Sequence, residues 1–445
     1  MRVRRTIASA FIPSDLCSSA STFFLLGVLC VSVVNFAFSP RLRAPCETLT
    51  AADAALIVTQ AYPQFRPEHP HAATAVLSQR DEITALLERV GVTVNGPHPW
   101  DPQIYDERLW ARILLKGTLG LGEAYMDGWW DCADLAEFFN RATGAKVKEQ
   151  FRPTANLVWQ HLKARLLNMQ TLGRAQRVAQ MHYNETAAYQ ATLDSRMTGS
   201  CAYWKNADTL DAAQEAKLDL VCRKIGLKPG QTVLDIGCGW GAFMGYAAEK
   251  YGARCVGVTI SPDQAAYGSQ RYKHLPVEFQ VKDYREFVGQ VDHVVSMGMF
   301  EHVGYKNFRT YFEVARRAIK GDGLFMLHTI GSPDSIKLID PWFEKYIFPG
   351  GVLPSITQIG AAIENLFAVV DVHNIGPHYD KTLMAWFEKF DATWPKPTTL
   401  EELRFYRMWK YYLLACAGSF RSRAIHVWQF VLSTTGVPDG YETAR

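Results

Sequence analysis

"VLDIGCGWG", residues 233–241, runs an apolar strand into three glycines, Gly237, Gly239 and Gly241. Such a run, ending in the acid Asp235 and a glycine turn, predicts a buried strand, a tight loop and a helix whose N-terminus carries partial positive charge. Comparable strands follow in "ARCVGVTI", "VDHVVSMGM" and "GLFMLHTI", with helical patterns such as "FRTYFEVARRAIK" between them. Strand–helix alternation of this kind predicts an α/β fold with a parallel, doubly wound sheet. The spacing is Gly-x-Gly-x-Gly rather than the dinucleotide fingerprint Gly-x-Gly-x-x-Gly, so spacing alone does not name a ligand.

The 445 residues are 48% hydrophobic and 20% charged, a globular composition with room for about two or three domains. A net charge of +3 gives no case for nucleic acid, and no basic-aromatic repeat or zinc-finger spacing adds one. Nine cysteines without a CxxC pair read as reduced intracellular thiols rather than a disulfide framework. "MRVRR" precedes the apolar run 21–39, "STFFLLGVLCVSVVNFAFS". That run is long enough to anchor in a bilayer and equally fits a targeting peptide. Pro40, Pro45, Pro63, Pro67 and Pro70 mark a linker, so residues 1–70 form an anchor or targeting segment with its linker. Residues 71–180 show helical spacing, as in "DEITALLERV" and "DLAEFFNRAT", and predict a small helical domain; residues 181–445 carry the α/β pattern. The stretch Lys146–Gln180 holds seven Lys or Arg against the single acid Glu149. A basic amphipathic helix there either lies on anionic lipid or packs as an ordinary surface helix.

Ligands of a doubly wound sheet sit outside the carboxyl ends of its strands. Glu301, in "MGMFEHVG", follows one strand and His328 ends the next, so two residues far apart in sequence should meet in one crevice. A buried carboxylate without a partner is costly, which argues for a bound counterpart or a functional role. His302 cannot share the direction of its neighbour and is expected to brace the loop. After the second strand "TISPDQ" offers Asp263 and Gln264 to ribose hydroxyls, with Gln264 favoured. After the third, "KDYREF" places Asp283 and Tyr284 where an adenine edge would be read. Cys201 in "GSCAYWK" is reactive if exposed and inert if buried. Cysteine, glutamate and histidine together also suit zinc, but the sequence has no close ligand pair such as HxxxH, and no metal is expected. "HYDKTLMAWFEKF" and "YYLLACAGSFR" are helical and aromatic, a composition shared by cores and apolar substrate tunnels.

The acid before the glycine turn resembles the first motif of class I S-adenosylmethionine (AdoMet) methyltransferases, whose glycines pack against the amino-acid end of the cofactor. With "SCAYWK", "VGVTIS", "GMFEHVG", "LHTIGS", "DPWFEKYIFPGG" and "TLMAWFEKF", the sequence from about Pro97 to Arg445 resembles the cyclopropane-fatty-acyl-phospholipid synthases. The mycolic acid cyclopropane synthases are more distant relatives. The resemblance implies a class I AdoMet-methyltransferase (Rossmann-like) sheet with a smaller, mainly helical N-terminal domain. It implies that the cis double bond of a phospholipid-bound fatty acyl group attacks the AdoMet methyl group, and that bicarbonate removes a proton from that methyl as the ring closes. By motif, the bicarbonate ligands would be Cys201, Glu301, His328, the backbone of Ile330, and Tyr379. Cys416 of "ACAGSF" matches a position long assigned as an active-site thiol, though a structural cysteine fits the same helix. Cofactor contacts carried over are Gly199, Ser200, Leu234, Asp235, Ile236, Gly237, Cys238, Gly239, Trp240, Gly241, Thr259, Ile260, Ser261, Gln264, Asp283 and Tyr284. Tyr284 stands where some relatives have tryptophan. Trp204, Phe300, Tyr346 and Tyr379 are candidates to stabilise a carbocation with their π faces, each by roughly 0.5–2 kcal/mol. The implied partner is unsaturated phospholipid in a membrane, met from the cytosolic side, and homodimers are common in the family. The rival readings, on the same fold, are methylation of a fatty acyl carbon and N-methylation of a small amine.

Overall fold

The computed structural model describes residues 80–144 and 186–445. The apolar run 21–39, the proline linker and the basic stretch Lys146–Gln180 lie outside the described residues. Residues 80–88 are helical and lead into β1 (Gln103–Ile104), α1 (Arg108–Lys116), α2 (Thr118–Met126), β2 (Trp130–Asp131) and α3 (Leu135–Gly144). β1 and β2 pair antiparallel. This helical cap is followed by α4 (Thr186–Thr192) and α5 (Leu210–Lys224), and then by the sheet.

The sheet begins at β3 (Thr232–Ile236), α6 (Ala242–Tyr251), β4 (Arg254–Thr259), α7 (Pro262–Arg271) and β5 (Val277–Val281). It continues through β6 (His293–Met297), α8 (Phe308–Ala318) and β7 (Leu324–Gly331). Then come α9 (Pro341–Tyr346), α10 (Ile356–Ile363), β8 (Ala368–Asn374), α11 (Pro377–Thr393), α12 (Leu400–Arg421) and β9 (His426–Ser433). Seven strands lie in the order β5-β4-β3-β6-β7-β9-β8. The sheet is doubly wound about β3, as the alternation predicts. β9 is the departure: it runs antiparallel to both β7 and β8, so the sheet is mostly rather than wholly parallel. The physical reason is the short return from α12, which brings β9 back between two strands of the opposite sense.

α12 is the element that joins cap and sheet. Thr399 and Glu402 cap its start reciprocally, satisfying backbone N–H groups that a helix end otherwise leaves bare. Its buried face carries Trp409, Tyr411, Leu413 and Phe420, which share one core with Leu109, Tyr125 and Trp130 of the cap and Tyr379 and Trp386 of α11. Burying each such side chain contributes about 1.5–3 kcal/mol. Arg407 locks the same junction, donating to the carbonyls of Tyr125 (2.6 Å) and Trp130 (2.8 Å) and to Asp131 (2.7 Å). Among the described residues no helix is long and apolar enough to cross a membrane.

Candidate active site

A cavity of about 1230 Å³ lies at the carboxyl ends of the strands and continues under the helical cap. One end is built by the β3 turn. Asp235 is nearly fully buried there, and burial pushes its carboxyl up to about 7 against the pull of Lys217. Gly237 has φ +81°, and a Cβ on it would strike the Met299 side chain at 2.5 Å. Gly239, at φ +53°, faces open space, with nothing within 4 Å of where its Cβ would stand. That space is a cradle shaped by the missing side chain, and it fits a cofactor packed against the backbone.

Of the remaining cofactor candidates, Gly199, Ser200, Cys238, Trp240, Thr259, Ile260, Gln264, Asp283 and Tyr284 line the same cavity. Leu234 and Ile236 do not: they point into the core beneath the sheet. Gly241 holds the turn, and Ser261 caps α7 by accepting from the Gln264 N–H. The Thr259 hydroxyl lies 3.1 Å from Gln264 Oε1. Asp283 is clamped by Arg285, whose Nε and Nη2 donate to its two oxygens at 2.7 and 2.8 Å.

The chemistry-bearing end follows β6 and β7. Glu301 sits in a one-turn 3₁₀ helix, Phe300–His302. Its Oε1 accepts the Ile330 N–H at 2.5 Å, while Oε2 is buried with no partner. Burial pushes this carboxyl up to about 7. His328, on β7, is buried and held neutral, its pKa driven well below the usual value by burial and by the nearby Lys217 and Lys224 charges. Across the β7–β9 ladder Gln429 faces it, with Nε2 3.3 Å from His328 Nδ1. With the amide turned this way its N–H donates to Nδ1, which puts the ring proton on Nε2. Tyr379, at the start of α11, lines the cavity with its phenol held neutral by burial.

Cys201 is fully buried, and its thiol is pushed far up; it donates weakly to the Ala202 carbonyl at 3.3 Å. Cys416, on α12, borders the cavity with a thiol raised by burial alone. Among the described residues no base hydrogen-bonds to it, and a thiol raised by burial forms no thiolate near neutral pH. Cys416→Ser is therefore expected to lower turnover by less than about tenfold, or about 1.4 kcal/mol of transition-state stabilisation, in a steady-state assay. The Ile330 N–H is taken by Glu301, leaving only its carbonyl, which already accepts from the Thr329 hydroxyl at 3.0 Å, to meet an ion. His302 lines the cavity beside Phe348, ring centroids 5.6 Å apart. Of the four aromatics, only Tyr379 lines the cavity. Phe300 stacks on Phe308 in the core (4.4 Å), Trp204 donates to the Thr382 hydroxyl, and the Tyr346 hydroxyl donates to Glu123.

Of the buried polar residues that sequence reasoning did not anticipate, Gln429 and Lys217 bear on this site. Gln429 had a signal, a lone amide in the apolar run "HVWQFVLS". Lys217 had none, because "LDAAQEAKLDLVCRK" reads as an ordinary solvated helix.

A doubly wound sheet with one reversed strand, a glycine turn at the end of β3 and an acid buried before it define a class I AdoMet methyltransferase. Solved structures agree. A mycolic acid cyclopropane synthase complexed with SAH and CTAB is 35% identical, with a TM-score of 0.53 over 58% of this protein and 97% of that one. Coclaurine N-methyltransferase, bound to N-methylheliamine and SAH, is 25% identical, with a TM-score of 0.59 over 71% and 99%. The family model described as mycolic acid cyclopropane synthetase matches residues 170–430. The cyclopropane-fatty-acyl-phospholipid synthase of Escherichia coli (strain K12) is 47% identical over 365 residues, 81% of this protein and 94% of that one. The protein belongs to the cyclopropane synthase family, and it is an AdoMet-dependent enzyme.

Proposed function

We propose that the protein converts cis double bonds of phospholipid-bound fatty acyl groups into cyclopropane rings. The observation that carries this reading is the buried, unpartnered Glu301 Oε2 in the same apolar cavity as the glycine cradle and His328. An orphaned carboxylate oxygen is an acceptor waiting for a donor, and the O–H of a bicarbonate ion fits it. AdoMet supplies the methyl group when bound, and bicarbonate supplies a base for the proton that the new methyl must lose.

The protein's own residues make such a site workable. Glu301 accepts from the ion's O–H, which turns an apparent charge repulsion into a charge-assisted hydrogen bond. Neutral His328 donates from Nε2, and the Tyr379 hydroxyl is a second donor for the remaining oxygens. Negative charge gathered here also favours a cationic transition state. Walls such as Phe343, Phe348, Trp386, Trp409 and Tyr412 accommodate a fatty acyl group and exclude water, which would otherwise trap a carbocation as an alcohol. CTAB, a single-tailed detergent, occupies the related synthase solved with it, which supports an apolar tail in the corresponding space.

The substrate lies in a bilayer, so we further propose docking from the cytosolic side through the apolar run 21–39 and the basic stretch Lys146–Gln180. Incubation with AdoMet and vesicles of unsaturated phospholipid should yield fatty acids heavier by one CH₂ that have lost their olefinic signals. Retained unsaturation with a methyl branch would instead establish methylation of an acyl carbon. Unchanged lipid with a methylated amine would establish N-methylation, the activity in the name of one solved neighbour.

A further inference from the structure

Lys217 lies on α5 with its side chain completely buried. A buried ammonium is normally found beside a carboxylate. Here the oxygen within hydrogen-bond distance is Ser200 Oγ, at 2.9 Å, and Met297 Sδ stands at 3.9 Å. Among the described residues Lys217 forms no ion pair. Asp194 and Asp235 act on it only through space, and burial lowers its pKa to about 8. Asp194 is already engaged, accepting from the Thr198 N–H at 2.6 Å and the Thr198 hydroxyl at 3.1 Å.

A buried cation with no directly bonded carboxylate among the described residues is thus held one layer behind the cavity wall, where Ser200 and Met297 reach the cavity. Gln214, one helical turn earlier, fixes the same loop by donating to the Ser200 carbonyl at 2.9 Å. Lys217 has only donors, so Ser200 Oγ accepts from it and the serine proton is left to point elsewhere. A hydroxyl donor backed by a buried positive charge is a receptor for an anion.

We propose that Lys217 is a positioning residue for AdoMet: acting through Ser200, the contact that the family resemblance implies, it supplies the positive charge that reads the carboxylate at the cofactor's amino-acid end. The proposal rests on the cofactor reading and not on bicarbonate or on the acyl substrate. Bicarbonate offers similar oxygen chemistry, so the test separates the two anions.

The full-length protein is titrated calorimetrically with AdoMet and with decarboxylated AdoMet, in bicarbonate-free buffer and again with bicarbonate added. Wild type should bind the decarboxylated compound more weakly, by on the order of tenfold to a hundredfold, the size of a hydrogen bond to a charged group. Lys217→Met should weaken AdoMet by a similar factor and leave the decarboxylated compound unchanged, so that discrimination disappears. Ser200→Ala should do the same. Equal weakening of both compounds, or of neither, overturns the assignment, because a merely structural lysine cannot tell them apart. An effect that appears only with bicarbonate present reassigns the anion and also overturns it. Should Lys217→Met fail to fold, the wild-type ratio and Ser200→Ala decide by the same criteria.

Discussion

Glu301→Gln is expected to lower turnover by on the order of 10²–10⁴-fold, the range for losing a positioned proton-transfer partner, with AdoMet affinity nearly unchanged. The Ile330 N–H already fixes one oxygen of this side chain at 2.5 Å. An amide in its place must therefore turn its oxygen to Ile330 and its NH₂ toward the cavity. The position occupied by the unpartnered Oε2 then changes from acceptor to donor, with almost no change in volume. Single-turnover kinetics alongside calorimetric AdoMet binding separate the two effects. Wild-type turnover in the variant would remove Glu301 from the chemistry.

The same substitution should stabilise the fold, and the sign follows from the shift. Burial raises the Glu301 carboxyl from 4.5 to about 7, so the folded state favours the protonated form. Stability from that preference is full below about pH 4.5 and is lost as pH rises through about 7. Above pH 7 the buried charge costs roughly 3 kcal/mol, at about 1.4 kcal/mol per pKa unit. An amide escapes that cost. Denaturant unfolding in bicarbonate-free buffer should show the variant more stable than wild type at pH 8 and nearly equal at pH 4. Turnover of wild type should fall as pH drops below about 7, because a protonated Glu301 no longer accepts at both oxygens. A catalytic defect joined to a gain in stability is the signature of a residue kept for function rather than for the fold.

Glu301 and His328 were legible because each is an ionisable residue at the end of an apolar strand, where burial makes polarity conspicuous and sheet topology fixes direction. The β3 turn was legible for the same reason of local chemistry. β9 was not, because its apolar run carries no mark of which neighbours it will pair with, and its reversed sense depends on the return from α12. Lys217 was invisible for a deeper reason. A lysine on a helix of mixed composition looks solvated until its tertiary neighbours are known, and only packing puts α5 behind the "GSC" loop. At Leu234 and Ile236 the side chains serve the core, since alternate residues of a strand face opposite ways, so a cofactor contact there would come from the backbone.

Gly239→Val is expected to abolish AdoMet binding, by more than about a hundredfold or about 2.7 kcal/mol, in a protein that still folds. The three glycines of the turn look equivalent in sequence, yet they are held for different reasons. At Gly241 a Cβ would strike the Phe279 ring at 2.4 Å, and the backbone has φ +84°. Gly241→Ala should therefore cost stability first, with any loss of binding following from the damaged turn. At Gly239 an added Cβ meets no protein atom within 4 Å. Its cost to the fold is the left-handed backbone, about 1–2 kcal/mol for a residue with a Cβ. What it does meet is the space that the cofactor needs. The constraint at Gly239 therefore comes from the ligand, and at Gly241 from the packing. Thermal unfolding and AdoMet calorimetry on both variants test this directly. A Gly239→Val protein that binds AdoMet like wild type would put the cofactor elsewhere in the cavity, and the placement of the transferred methyl group would have to move with it.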